Sequence, residues 1–221
     1  MVPLGDLLSY EQPAGTVRPA IDGSDIRKLT SADIPRISLA LARAFEDDPV
    51  WEYLYPEEPE PVSRYRAAFE FFLRRLWLAE DECYGIVSLQ GAALWMPPGR
   101  WHVSALGQLR MLPRMIAMSG RRFPRIAGVL HLMENKHPRD PHHYLAVLGV
   151  EPALQGRGFG AALLAPVLSR CDRDGTPAYL ESSKERNVAF YERHGFRVTE
   201  EVPLSNAGPR IWLMWRDPVA A

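Results

Sequence analysis

The stretch that decides the reading is LGVEPALQGRGFGAALLAPVL, residues 148–168. An apolar run closes at Val150, glycines stand at Gly156, Gly158 and Gly160, and apolar residues at helical spacing follow. Glycines ahead of a helix remove the Cβ atoms that would hold another molecule away from main-chain N–H groups. The first helical turn carries unpaired N–H groups and about half a positive charge from the aligned peptide dipoles. Strand, glycine turn and helix start together suit the oxygens of a phosphate.

Three phosphate patterns compete for these residues. A P-loop needs Lys and then Ser or Thr after its last glycine, and Gly160 is followed by Ala161 and Ala162, so that pattern fails. The dinucleotide pattern GxGxxG/A is formally met by Gly156, Gly158 and Ala161, with Glu181 about twenty residues on. Such a fold begins at its motif and needs several more strand–helix units, whereas only 60 residues follow Ala161 and they end in an antiparallel-looking pair. The third pattern is Gln-x-x-Gly-x-Gly, on Gln155, Gly158 and Gly160.

A second motif lies downstream. ERNVAFYERHGF, residues 185–196, places Asn187 and Tyr191 on one face of a short helix that stops at Gly195.

Outward from these motifs, strands are expected at 25–30, in CYGIVSL and GAALWM (joined at Gln90-Gly91), at 144–150, at 178–183, and in FRVTEEV and RIWLMW. Helices are expected from Thr30 or Ser31 as N-cap, burying Ile37, Leu39, Leu41, Ala42 and Phe45, and over 62–79, burying Ala68, Phe71, Phe72, Leu76 and Trp77. Residues 101–136 read as a basic helical insertion broken by Pro113 and Pro124, with Arg110, Arg114, Arg121, Arg122 and Arg125 on a solvated face or a surface for anionic groups. Pro166 is expected to kink the helix after the glycines. Residues 1–24 read as an arm without periodicity, and 25–221 as one domain.

The chain has 221 residues, 47% hydrophobic and 24% charged, with a net charge of −1, which argues against nucleic acid as a partner. Cys83 and Cys171 lack pair or ligand spacing and read as buried apolar groups, so no metal is expected. No apolar run approaches the roughly 18 residues that span a bilayer, and the first residues lack the basic and apolar regions of a secretory signal; no membrane partner and a cytoplasmic location are expected.

The two motifs, in this order, resemble those of GNAT acetyltransferases. The likeness runs over residues 26–217, is densest from Tyr144 onward, and comes nearest to the puromycin N-acetyltransferase group. It implies an α/β (α+β) fold: a mixed, mostly antiparallel sheet with helices on both faces and a V-shaped splay between two central strands, here 144–150 and 178–183. It implies acetyl-CoA as cosubstrate and a small-molecule amine as acceptor, with transfer in a ternary complex. A protein lysine or N-terminus as acceptor, a non-catalytic acyl-CoA sensor, and a homodimer all stay open.

Carried over residue by residue, the likeness makes the main chain of Leu148, Gly149 and Val150 the pantetheine edge, with the Gly149 or Val150 N–H facing the thioester carbonyl. Gln155, Gly156, Arg157, Gly158, Phe159 and Gly160 become the diphosphate cradle, and Asn187 a partner of the pantetheine arm. Tyr191 becomes the general acid for the thiolate. Glu181 is the expected general base, with His142 and His143 as alternatives, because an ammonium of pKa about 10.4 must lose a proton before attack. Asp47, Asp48, Trp51, Tyr53 and Tyr55, in FEDDPVWEYLYP, are expected to bind a cationic, ring-bearing amine.

Overall fold

The computed structural model describes residues 25–206 and 208–219. The expected arm, residues 1–24, lies outside the described residues. Seven strands form one sheet in the order β1-β2-β3-β4-β5-β7-β6. They are β1 (Ile26–Lys28), β2 (Cys83–Ile86), β3 (Gly91–Met96), β4 (His143–Val150), β5 (Ala178–Ser182), β6 (Arg197–Pro203) and β7 (Arg210–Arg216). Every neighbouring pair is antiparallel except β4 with β5.

The sheet opens at its centre for a local reason. β3 pairs Leu94 with Val147 and Trp95 with Leu145, so Ala146 is a surplus residue in β4. A bulge of this kind bends its strand and increases its twist. The parallel pairing of β4 to β5 ends at the same place, at Leu145 with Leu180. Beyond it, β4 stays paired to β3 as far as Val150, and β5 to β7 as far as Ser182, so the two central strands part company.

Helices cover both faces. On one lies α6 (Phe159–Asp174), burying Leu163, Leu164, Val167 and Cys171 against Trp95, Leu145 and Leu180, with the short α7 (Val188–Glu192) beside it. On the other lie α1 (Ile34–Ala44), α2 (Pro49–Leu54) and α3 (Pro61–Arg75), packed over Ala92, Leu94 and Val147. Two further helices, α4 (Ala105–Ser119) and α5 (Phe123–Lys136), follow β3, and Leu132 and Met133 of α5 pack near Tyr179 and Leu213.

The entry to α1 is fixed by charge. Asp33 accepts from the Thr30 N–H at 2.8 Å and the Thr30 hydroxyl at 2.9 Å, and takes both terminal nitrogens of Arg27 at 2.8 and 2.7 Å. Pro35 follows in the first turn, where its missing N–H is harmless. Thr30 thus caps the short 3-10 turn Ser31–Asp33, and Asp33 is the residue that precedes α1.

Several expectations are corrected. Pro113 lies inside an unbroken α4; the break comes at Gly120, whose φ of 55° suits glycine, and Pro124 sits in the first turn of α5. Pro166 lies within α6, where the sequence places it. The helix α3 ends at Arg75 and buries Tyr65, Ala68, Phe69 and Leu73, leaving Phe71, Phe72, Leu76 and Trp77 half-buried. Its face is set by α2, a helix not among those expected from the sequence: Trp51 brings its ring to 4.5 Å from Tyr65 and 5.3 Å from Phe69. Complete burial of a Phe or Leu side chain contributes about 1.5–3 kcal/mol, enough to choose between two faces of one helix.

Candidate active site

The gap between β4 and β5 continues into a cleft of about 500 Å³, floored by Leu145 to Val150 and mouthed by the turn before α6. Gly149 is required by packing: a Cβ there would lie 2.7 Å from Leu41 Cδ2 and 3.1 Å from Phe45 Cε2, so only glycine lets α1 approach β4 this closely. The carbonyl of Val150 accepts from the Gln155 side chain at 3.1 Å. Gln155 therefore ties the end of the strand to the start of the turn.

The turn presents main chain. Gly158 precedes α6 in the left-handed region, with φ of 91°. The first helical N–H to find a partner is that of Ala162, which donates to the capping Gly158 carbonyl at 3.1 Å. The N–H groups of Phe159, Gly160 and Ala161 are left without helical partners, and all three residues line the cleft. Gly160 is also a packing glycine, since a Cβ there would meet the Phe190 ring at 3.1 Å. Arg157 is exposed and stands outside the cleft lining.

The opposite wall is made of side chains. Asn187, Phe190, Tyr191 and Arg193 line it from the segment around α7, and Glu181 lines it from β5. Tyr191 is 7% exposed, packed on Phe190 and Phe196. Burial first, and then the charge of Asp48, push its phenol above tyrosine's ordinary pKa, so it stands protonated at neutral pH. The Glu181 side chain is 10% exposed, and its Oε1 is buried without a hydrogen-bond partner.

The acceptor-side residues fall in different places. Asp48 lines the cleft but is 1% exposed. One of its oxygens caps α2, accepting from Val50 N–H at 2.9 Å and Trp51 N–H at 3.1 Å, and the other accepts from the Ser183 hydroxyl. Burial raises its pKa against these bonds. Asp47 lies outside the cleft, ion-paired with Lys184 and Arg186. Trp51 and Tyr55 are absorbed in the aromatic core around Tyr65, and Tyr53 sits under the Arg125 guanidinium at 5.0 Å. Charge and packing within the chain thus occupy the groups expected to meet an amine. His142 and His143 are both buried and stand apart from the cleft lining; burial lowers the pKa of each. The sequence gives no sign of His137, Tyr144 and Tyr179 as site residues, yet they gather around Glu181; His137 stands in the Pro-rich segment HPRDPHH, where no spacing rule marks it. Among the described residues no group of three or more His, Cys, Asp or Glu is placed to hold a metal ion.

Comparison with known proteins agrees with this geometry. Residues 115–215 match the family model of the acetyltransferase (GNAT) domain. The chain is 26% identical over 204 residues to an uncharacterized N-acetyltransferase of Schizosaccharomyces pombe, covering 87% of this chain and 83% of that protein. It is similar to the structure described as histone acetyltransferase HPA2 and related acetyltransferase from Corynebacterium glutamicum, at 25% identity and a TM-score of 0.67, covering 89% of this chain and 97% of that one. Arylalkylamine N-acetyltransferase 2 from Aedes aegypti shares the fold at 13% identity and a TM-score of 0.62, covering 87% and 97%. The sheet with its central opening is the GNAT fold.

Proposed function

From the premise that this chain is an acyltransferase of GNAT fold, we propose that it transfers the acetyl group of acetyl-CoA to the amine of a small molecule, by direct attack in a ternary complex. One observation carries the reading: the bulge at Ala146 opens a cleft that runs from a glycine turn with free N–H groups to a wall bearing Glu181 and Tyr191. The residues fit the cosubstrate. The turn from Gln155 to Gly160 offers amides and a helix start to a diphosphate. The unpaired edge of β4 at Leu148, Gly149 and Val150 offers main-chain groups to the amides of a pantetheine arm, as if to an added strand. Acetyl-CoA bound there supplies the activated acyl group. Asn187 faces the same channel from the other wall.

The chain's own groups then handle protons. Glu181 accepts one from the attacking amine, and Tyr191, protonated at rest, gives a hydrogen bond and then its proton to the departing sulfur. The Gly149 or Val150 N–H stabilises the charge on the carbonyl oxygen.

A small amine is favoured over a protein by the sequence likeness to the puromycin group and by the fold shared with the Aedes aegypti arylalkylamine enzyme. With Asp47 ion-paired and Asp48 buried, Glu181 is the carboxylate that the acceptor meets. The histone acetyltransferase named among the similar structures motivates the alternative, a protein lysine. The test is thiol release from acetyl-CoA across puromycin and other amine antibiotics, arylalkylamines, polyamines, amino acids and lysine peptides. Turnover is expected with one small-amine class and only the hydrolysis background with peptides; the reverse pattern selects the alternative. Tyr191→Phe is expected to lower kcat by about tenfold or more and to leave CoA affinity unchanged. Failure of CoA to bind at millimolar concentration in calorimetry overturns the reading.

A further inference from the structure

Glu181 lines the cleft, and next to it stands a string of buried groups that the reaction as described does not use. His137 follows α5, is 5% exposed, and stacks on Trp101 with ring centroids 3.9 Å apart. Its Nδ1 lies 3.5 Å from the unpartnered Oε1 of Glu181. Its Nε2 lies 3.0 Å from Nε2 of His142, whose Nδ1 lies 2.6 Å from the main-chain oxygen of Asp140.

The hydrogens on this string can be assigned by elimination. A carbonyl oxygen only accepts, so His142 carries a hydrogen on Nδ1. Burial disfavours the charged form of His142, so its Nε2 is bare and accepts. His137 must then donate from Nε2. In the neutral ring Nδ1 is left bare, and it faces a bare carboxylate oxygen at 3.5 Å. Two lone pairs so placed repel, and a proton between them turns the repulsion into attraction.

We propose that Glu181 and His137 work as one base, taking up a single proton that the carboxylate and the imidazole share. His137 is the positioning residue of the pair, and the inference rests on Glu181 being the base of the proposed reaction. The pair accepts the proton lost as the amine nitrogen bonds to the acyl carbon. Tyr191's proton goes to the sulfur as the carbon–sulfur bond breaks. One proton passing through water from the pair to Tyr191 then restores both groups, so atoms and charges balance.

The groups facing the pair are few. Tyr144 and Tyr179 present ring edges to His137, with centroids at 4.7 and 4.9 Å, and turn their hydroxyls toward Glu181; burial first, then the Glu181 charge and hydrogen bonding toward that carboxylate, hold both phenols protonated. His142 borders His137 on its Nε2 side, and Trp215 packs on His142. Beyond Trp101 lie His102 and the Arg139 guanidinium, the latter 5.4 Å from that ring. The Lys136–Glu200 ion pair lies at the end of α5.

The experiment reads the proton directly, by nitrogen-15 NMR of the histidine rings in the wild-type chain and in Glu181→Gln, without substrate. In the wild type His137 Nδ1 is expected to show the signal of a nitrogen sharing a hydrogen with the carboxylate, and in Glu181→Gln that signal is expected to be lost while Nε2 stays bonded toward His142. Identical Nδ1 signals in the two proteins overturn the proposal. In kinetics, His137→Gln keeps a donor toward His142 and removes the imidazole. It is expected to lower kcat about tenfold, to leave the KM for acetyl-CoA within about twofold, and to move the acidic limb of the pH–rate profile to lower pH. An unmoved limb with kcat near wild type overturns the proposal as well. Wild-type turnover by Glu181→Gln would instead remove Glu181 as the base of the proposed reaction, a failure distinct from either of these. The NMR comparison stands whether or not His137→Gln folds.

Discussion

Along the turn before α6, the groups facing the cleft belong to the main chain, placed by the left-handed Gly158 and by Gln155 gripping Val150. Across the cleft, the facing groups are side chains, among them the buried Tyr191 and the half-buried Glu181, set by neighbours such as Phe196 and His137 from other elements. The first wall depends on backbone conformation and tolerates changes of side chain. The second depends on single functional groups and tolerates little. Binding should therefore fail when the first wall is disturbed, and turnover when the second is.

Four substitutions probe this contrast beyond those already given, from the largest expected effect downward. Gly158→Val forces a β-branched residue into φ of 91°. That strain, on the order of 1–3 kcal/mol, should weaken CoA binding by about tenfold or more in calorimetry, since about 1.4 kcal/mol is one factor of ten. Gln155→Ala frees the Val150 carbonyl and should weaken CoA binding by roughly threefold to tenfold, the worth of one hydrogen bond. An effect on kcat larger than on binding in either variant would break the division between the walls.

Asp33→Asn touches neither wall and serves as the control. The guanidinium of Arg27 and the Thr30 donors hold the Asp33 carboxyl well below the usual carboxylate range. A carboxyl with a lowered folded-state pKa adds stability above its unfolded value of about 3.9, and that stability fades as pH falls through the folded value. The variant should lose about 1 kcal/mol in urea unfolding at pH 7, and the difference should shrink as pH falls below about 4. CoA affinity should stay within twofold. The smallest effect belongs to Arg157→Ala: its side chain is exposed and outside the cleft lining, so CoA affinity should change by less than about threefold, most of it at low salt.

The same contrast governs what could be read in advance. The strand–turn–helix from β4 to α6 and the Asn187–Gly195 segment follow from local rules: glycines where φ is positive, a helix start, one face at i and i+4. The alternation of strands and helices was legible for the same reason. The phase of α3 was not, because Phe69 and Leu73 are chosen over Phe71 and Phe72 by a partner, α2, from a segment whose carboxylates and aromatic rings read as an acceptor site. Asp48 looked like bait for a cation, yet it caps α2 and ties it to Ser183. His137 has no sequence signature at all. It meets Glu181 only because α5 ends against the face of β5 that carries Tyr179 and Glu181.

Ala146 carries more weight than an alanine in a strand ordinarily would. Side chains alternate along a strand, so removing this one position would swap the faces of Val147, Leu148 and Val150 and let β4 zip onto β5 along its whole length. Such a chain could keep a hydrophobic core and still have no room for a second molecule. The capacity to hold a substrate between two strands is thus written as a single residue of slack.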